Sequence, residues 1–531
     1  MVAVLAVMAM VRLLLLNFPL ERDEGEYAYA GQLMLQGIPP YELAYNMKFP
    51  GTYAMYALIL ALFGKTPAGI HLGVIVVTTA TALMLYWLGR RMLDATAGMV
   101  AATTYAVLAA NTALFGLAGH ATHFAAFFAT AALCLMWQVG QTARWQTALV
   151  AGFLCGMATL MKQHAALISA WAFVVLVWKA GRESRATGLR TYWIPAAFAS
   201  GVVLPLGACG FMLWCAGVFH QFWFWTVVYA RQYISIVSVF DLASRLGWSI
   251  RSMASEDFLL WLPCLAGLVM IWFDVRLRQM RIRLFGFSLA SFLTTFPGFY
   301  FRTHYFLLTL PALGLLAGCA VSGAGRGWRR PTGANRFGQW SAGLYALLLA
   351  LTLVKTSEVW HTFATQGGHA LYGPELFPEA ETVATFIRHN SPLTAKVAVL
   401  GSEPEIYFLS RRHSATGYIY TYPLMEPQPF AGAMQRAMIR EIETNAPEFI
   451  VYVNLNLSWV QAPTSDVAIF RWWNQYQTNY SRVGLVEQHW PHASRFFWGP
   501  DAARQGKMNG TGLEVYLRNE TLPASAAPLH N

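Results

Sequence analysis

Charge is scarce in this chain of 531 residues: Asp, Glu, Lys and Arg make up 12% of it, and 56% is hydrophobic. Ordinary soluble domains carry about 25% charged residues, so an ordinary soluble domain is excluded. Cysteine is scarce too. Cys134, Cys155, Cys209, Cys215, Cys264 and Cys319 all lie in or beside apolar segments, without CxxC spacing. Neither a disulfide framework nor a cysteine-based metal site is suggested. The start of the chain lacks a basic leader and a small-residue cleavage site, so the apolar run to Leu20 reads as a retained helix. Acids are rarest in the first two thirds, where residues 1 to 355 hold 11 Asp/Glu against 25 Lys/Arg; residues 356 to 531 hold 15 against 12. The net charge of +11 therefore belongs to the apolar part. Its basic residues sit in short loops between apolar segments, where they control topology, and nucleic acid is not an expected partner.

Apolar stretches of spanning length fall at 2–20, 68–89, 96–117, 121–139, 146–162, 164–179, 192–216, 258–273, 283–300, 304–322 and 339–355. The stretch from Thr52 to Phe63 is only about a dozen residues long and reads as an interfacial helix. Eleven spans with the N-terminus inside place five basic loops in the cytoplasm. They carry Arg90 and Arg91; Arg144; Lys179, Arg182, Arg185 and Arg190; Arg276, Arg278, Arg281 and Arg283; and Arg326, Arg329, Arg330 and Arg336. A twelfth span at Thr52–Phe63 would turn every one of those loops outward, against the positive-inside rule. The loop after the first span, the loop 217–257 and everything after Lys355 then face outward. A bacterial inner membrane with the C-terminal part in the periplasm is the expected setting. Past Lys355 the texture becomes that of a soluble domain. Lys396–Leu400 and Phe449–Val453 read as strands, Glu379–His389 and Phe430–Thr444 as helices, and Leu513–Leu517 as a last strand. The expected fold is an α-helical polytopic membrane protein with about 11 transmembrane helices over 1–355, followed by an extracytoplasmic α/β domain over 356–531.

Five of the eleven acids of the membrane part, Glu21, Asp23, Glu24, Glu26 and Glu42, share the first outward loop, 21–67. A solvated loop is the plain reading. Against it, the cluster abuts a helix end, a Gly-, Pro- and Tyr-rich stretch (GIPPYELAYNMKFPGTYAMY) follows, and Lys48 returns a cation within the same loop. Carboxylate and cations at a membrane surface suit sugar transfer from a phosphate-linked lipid: the leaving phosphate needs positive charge, and the attacking hydroxyl needs a base. Asp23 can supply the base. Lys48, Lys162, Arg231 and Arg302, at outward ends of spans, are candidates for the phosphate, each with an alternative as a snorkelling side chain. His120, His123, His164 and His304 also fall on the outward face and raise metal binding with Asp or Glu, although their spacing specifies no metal.

The run RDEGEYAYAGQLMLQGIPPYELAYNMKFPGTYAMYAL resembles the first extracytoplasmic loop of the C-type glycosyltransferases (GT-C), in particular the protein O-mannosyltransferase and lipid A aminoarabinose transferase group. The resemblance covers about residues 1–355. It implies that Asp23 of the Asp23-Glu24 pair is the catalytic base and that Lys48 contacts the donor phosphate. Met47 stands where that group often has Glu before the lysine, so a metal site using that Glu has no counterpart here. GMATLMKQHA around Lys162 and FRTHYFLLTLPALGLLAG around His304 and Tyr305 are similar as well.

The expected function is inverting transfer of a sugar from a polyprenyl-phosphate donor to a hydroxyl of a lipid, glycan or protein acceptor. Asp23 and Glu24 are the expected catalytic pair, with Lys48, Lys162 and Arg302 on the phosphate. His304, Tyr305 and His123 are candidates for metal or acceptor contact. No cofactor is required by the sequence beyond an optional divalent metal ion. Trp459, Trp472 and Trp473 could stack on sugar, with buried packing as the alternative. A transporter or flippase is the rival from another class, but apart from Arg12 the spans are nearly free of ionisable residues in their middles. A non-catalytic envelope-assembly protein is the second rival, and it would tolerate substitution in the acidic loop.

Overall fold

The computed structural model describes residues 1–142, 144–187, 192–324 and 336–521; Arg190, Arg326, Arg329 and Arg330 lie outside the described residues. Among the described residues, seven helices are long and apolar enough to cross a membrane: Pro67–Met92, Ala121–Gly140, Gln163–Arg185, Trp193–Cys215, Val239–Phe273, Thr303–Ala324 and Gln339–Thr365. Val2–Leu14 (α1), Gly51–Phe63 (α3), Ala95–Leu108 and Trp145–Met161 are shorter apolar helices. Thr303–Ala324 lies at the centre of the bundle, with 94% of its apolar window buried. Trp145–Met161 and Trp193–Cys215 meet backbone to backbone: a Cβ on Gly152 would fall 2.0 Å from the Phe198 carbonyl oxygen, and one on Gly201 would fall 2.1 Å from that of Leu149. Small residues permit such close approach where lipid removes the hydrophobic drive for helices to associate.

Three differences from the sequence reading matter for the site. Residues 22–35 are not loop but helix α2 (Arg22–Leu35), started by a reciprocal cap in which Glu21 accepts from the Glu24 N–H and Glu24 accepts from the Glu21 N–H. The expected span at 258–273 is the second half of a helix running from Leu242 to Phe273, with a non-helical break at Asp257. The expected span at 283–300 is shortened to a helix at Arg281–Leu293, because a left-handed turn at Gly298, Phe299 and Phe301 follows it.

The helix Arg336–Gln366 continues past Lys355 and leads into the C-terminal domain. Six strands, β1 (Lys396–Leu400), β2 (His413–Ser414), β3 (Phe449–Asn454), β4 (Tyr480–Glu487), β5 (Arg495–Trp498) and β6 (Gly512–Arg518), form one mixed sheet in the order β2-β1-β3-β6-β4-β5. β1 runs parallel to β2 and β3, and β6 is antiparallel to both β3 and β4. Phe377–His389 and Ala431–Asn445 are the principal helices. The short unbroken apolar runs in KVAVL and FIVYV made two strands legible, whereas the two-residue β2 and the mixed polar and apolar β4 and β5 escaped notice. Trp459 and Trp473 are buried in this domain, and Trp472 donates from its indole to Glu443.

Candidate active site

The N-terminal end of α2 presents Asp23 and Glu26 on one face, three residues apart. Lys48, brought back by the Gly- and Pro-rich stretch, donates to Asp23 Oδ1 at 2.8 Å and to Glu26 Oε2 at 2.5 Å. Tyr53 Oη donates to the other Glu26 oxygen at 2.6 Å, and the Lys48 ammonium lies 4.5 Å from the centre of the Tyr27 ring. Glu26 is fully buried, and burial pushes its carboxyl up despite Lys48. At Asp23 the balance is reversed. Burial alone would raise this carboxyl, but Lys48, by its charge and its hydrogen bond, outweighs it and holds it well below the usual carboxylate range. The Lys48 ammonium, in turn, is held charged against its burial by Asp23 and Glu26.

Asp23, Lys48, Lys162, Arg302, His304 and Tyr305 line one cavity of about 540 Å³. Arg231, Tyr420, Tyr422 and Glu426 line it too. Lys162 lies 4.5 Å over the Tyr305 ring, and burial with Lys48 nearby brings its ammonium down to about 8. Arg302 stays charged, its pKa raised chiefly by Tyr233 against its burial. The cavity wall therefore holds four basic side chains, Lys48, Lys162, Arg231 and Arg302, against two carboxylates, Asp23 and Glu426. It is a space suited to an anion.

The turn between Ala109 and His120 forms another side of the site. Buried Arg12 of α1 donates to the carbonyls of Ala109 and Gly116, both at 2.8 Å, so the one ionisable residue in the first span pins this turn. Gly119 N–H donates to Glu24 Oε1 at 2.6 Å. His120 follows, 3.7 Å from Asp23 Oδ2, and its ring stacks on that of His304 with centroids 4.4 Å apart and planes 8° from parallel. Asp23, His120 and His304 each offer a ligand atom within 4.8 Å of the others. Both His120 nitrogens are buried without a hydrogen-bond partner, and burial brings its pKa down to about 4, which leaves a neutral imidazole. This donor set fits a divalent cation.

Glu24 and His123, expected at the site, are not among the residues that line the cavity. Glu24 is fully buried and occupied by its cap, by Gly119 N–H and by His71, while His123 contacts the Gly116 carbonyl at 3.0 Å. Both brace the wall. Glu26, Tyr420 and Glu426 were not among the expected site residues. The i to i+3 spacing of Asp23 and Glu26 was available as a signal once α2 is taken as a helix; for Tyr420 and Glu426, in the distant C-terminal domain, no local signal exists.

Residues 48–207 match the family described as dolichyl-phosphate-mannose-protein mannosyltransferase. The match includes Lys48 and Lys162 and leaves Asp23 outside. No curated protein matches the sequence. Among solved structures the fold is similar to that of ArnT from Cupriavidus metallidurans bound to undecaprenyl phosphate, with 18% identity, a TM-score of 0.56, and coverage of 88% of this chain and 95% of that one. The apo state of the same protein gives 16% identity and a TM-score of 0.55, covering 97% of both chains. The Archaeoglobus fulgidus oligosaccharyltransferase in its apo form gives 13% identity and a TM-score of 0.51, covering 94% of this chain and 74% of that one. Residues 48–207 are thus similar to a mannosyltransferase family, and the chain as a whole shares the fold of ArnT and of the archaeal oligosaccharyltransferase.

Proposed function

We propose that the chain transfers a sugar, with inversion, from a polyprenyl-phosphate donor to an acceptor hydroxyl at the outward membrane face. The observation that carries this reading is a single cavity with an ionised carboxylate, Asp23, at one side and an excess of cations around it. The undecaprenyl phosphate bound by ArnT supports a lipid phosphate as the anion, and the placement of basic loops supports the outward orientation.

In this reaction the acceptor oxygen attacks the anomeric carbon, its bond to that carbon forms, and the bond from that carbon to the phosphate oxygen breaks. The phosphate leaves with the electron pair, and the acceptor proton passes to Asp23. Lys162 and Arg302 receive the growing phosphate charge, with Lys48 as the third cation. Lys48 has a second effect. While it is paired with Asp23 it depresses that group's basicity; as it turns to the phosphate, the carboxylate regains the basicity that the acceptor proton requires. A divalent cation, where one is bound by Asp23, His120 and His304, would supply Lewis-acid polarisation of an oxygen at that point. Glu26 keeps Lys48 in place and charged.

The test is transfer by the purified full chain from a panel of short-chain polyprenyl-phosphate sugars. Asp23→Asn, nearly isosteric, should abolish turnover while leaving thermal unfolding and undecaprenyl phosphate binding in place. Near-normal turnover in that variant would exclude Asp23 as base.

A further inference from the structure

The C-terminal domain does more than cover the cavity. Arg22, the residue before Asp23, donates to the Ser402 carbonyl at 2.6 Å and pairs with Glu375 at 3.0 Å and Glu403 at 3.5 Å, all three contributed by that domain. At Gly25 the first turn of α2 lies flush against the helix Glu405–Ser410: an added Cβ would fall 2.6 Å from the Glu405 backbone nitrogen. Further along α2, the Ser414 N–H donates to Tyr29 Oη at 2.7 Å. The helix bearing Asp23 is thus clamped along its length by the soluble domain.

One contact of this clamp reaches the reacting group. Tyr420, buried and on the cavity wall, donates to the Arg22 carbonyl at 2.9 Å and lies 3.3 Å from Asp23 Oδ1. Its ring also sits 5.6 Å from the Lys48 ammonium. Oδ1 therefore faces Lys48 and Tyr420 together, whereas Oδ2 points toward His120. We propose that Tyr420 is a positioning residue for Asp23: its one hydroxyl hydrogen, shared between the Arg22 carbonyl and Asp23 Oδ1, holds Oδ1 beside Lys48 and so selects Oδ2 as the oxygen presented for reaction. The catalytic centre is then built from both ends of the chain, and the soluble domain is a working part of it. This rests on the reading of Asp23 as base only for its kinetic consequence; the geometric consequence stands apart.

Tyr420→Phe removes one hydroxyl and keeps the ring. Tyr372→Phe is the control, because it removes another hydroxyl of the same interface, the one donating to the Pro19 carbonyl at 3.1 Å, away from Asp23. A structure of the full-length Tyr420→Phe variant should show the Asp23 carboxylate rotated away from Lys48, with both domains in place. In the transfer assay its kcat should fall about tenfold with KM for the donor within twofold, and the Tyr372→Phe variant should match the unsubstituted chain. An unchanged Asp23–Lys48 contact in the Tyr420→Phe structure overturns the proposal, as does an equal loss of kcat in Tyr372→Phe. If the unsubstituted chain turns over no donor, the sugar-transfer reading fails, and the variant structure still decides the role of Tyr420.

Discussion

Two clusters of ion pairs, at opposite ends of the bundle, use the same chemistry to different ends. At the end away from the cavity Arg276 binds Asp274 at 2.5 Å and Asp94 at 3.2 Å, Ser322 donates to Asp94, and Asp94 caps the helix Ala95–Leu108 through Ala97 N–H. Each carboxylate there has a structural partner, and neither the arginine nor its acids line the large cavity. At the cavity end Lys48 binds Asp23 and Glu26 at similar distances, but the cluster opens onto about 540 Å³ of space with three more cations on its wall. An ion pair says little about function by its distance. What separates the two is what they open onto: a cluster away from the cavity fixes a helix end, and one on a cavity wall with surplus cations is suited to an anion.

Substitutions at the two ends put that contrast at risk. The largest effect should come from Asp23→Asn, with turnover down about 10³-fold and little change in thermal unfolding, since removing a general base costs about 10²–10⁴-fold. Lys162→Ala should come next, weakening undecaprenyl phosphate binding roughly 10- to 100-fold in a direct titration, the loss of one charged hydrogen bond of about 1.5–3 kcal/mol. The same ammonium gives a pH dependence. Because burial brings Lys162 down to about 8, it is charged below that pH and neutral above it, so affinity for the lipid phosphate should decline as pH rises through about 8. Lys162→Arg, which stays charged, should flatten that decline; an unaltered profile would assign it to another group. Arg276→Ala should be smaller and of the opposite kind, lowering stability by about 1 kcal/mol, read as a shift of a few degrees in Tm, with transfer unchanged because the pairs are partly exposed. Loss of transfer in Arg276→Ala would break the contrast. Arg504→Ala should do least, since its pair with Asp501 is largely exposed and nothing else depends on it; Tm and turnover should both stay at their starting values.

Much of this was open to reading along the chain. The long apolar runs announced a bundle, KVAVL and FIVYV announced two central strands, and Asp23, Lys48, Lys162, Arg302 and His304 were singled out one by one from their positions at outward ends. Helix α2 was not read, because the same acidic residues that signal a solvated loop also make a reciprocal cap, and Glu21 to Glu24 spacing distinguishes the two only when a helix is already suspected. Glu26, outside the expected catalytic pair, is fully buried against Lys48 and Tyr53. Glu24 and Asp23 are neighbours in sequence, yet about 100° apart around a helix, so one braces the Gly119 turn while the other faces the cavity.

The sequence by itself determined the solvent of each part of the chain and the residue types available for chemistry, because hydropathy, charge bias and local periodicity act over a few residues at a time. The tertiary structure decided which of those residues share a space. Arg12 reaches the turn that carries His120, the 297–303 turn brings Arg302 and His304 to Lys162, and Tyr420 comes from almost 400 positions away to stand beside Asp23. Such meetings depend on the path of the backbone between them, and no local pattern encodes a distance across that path.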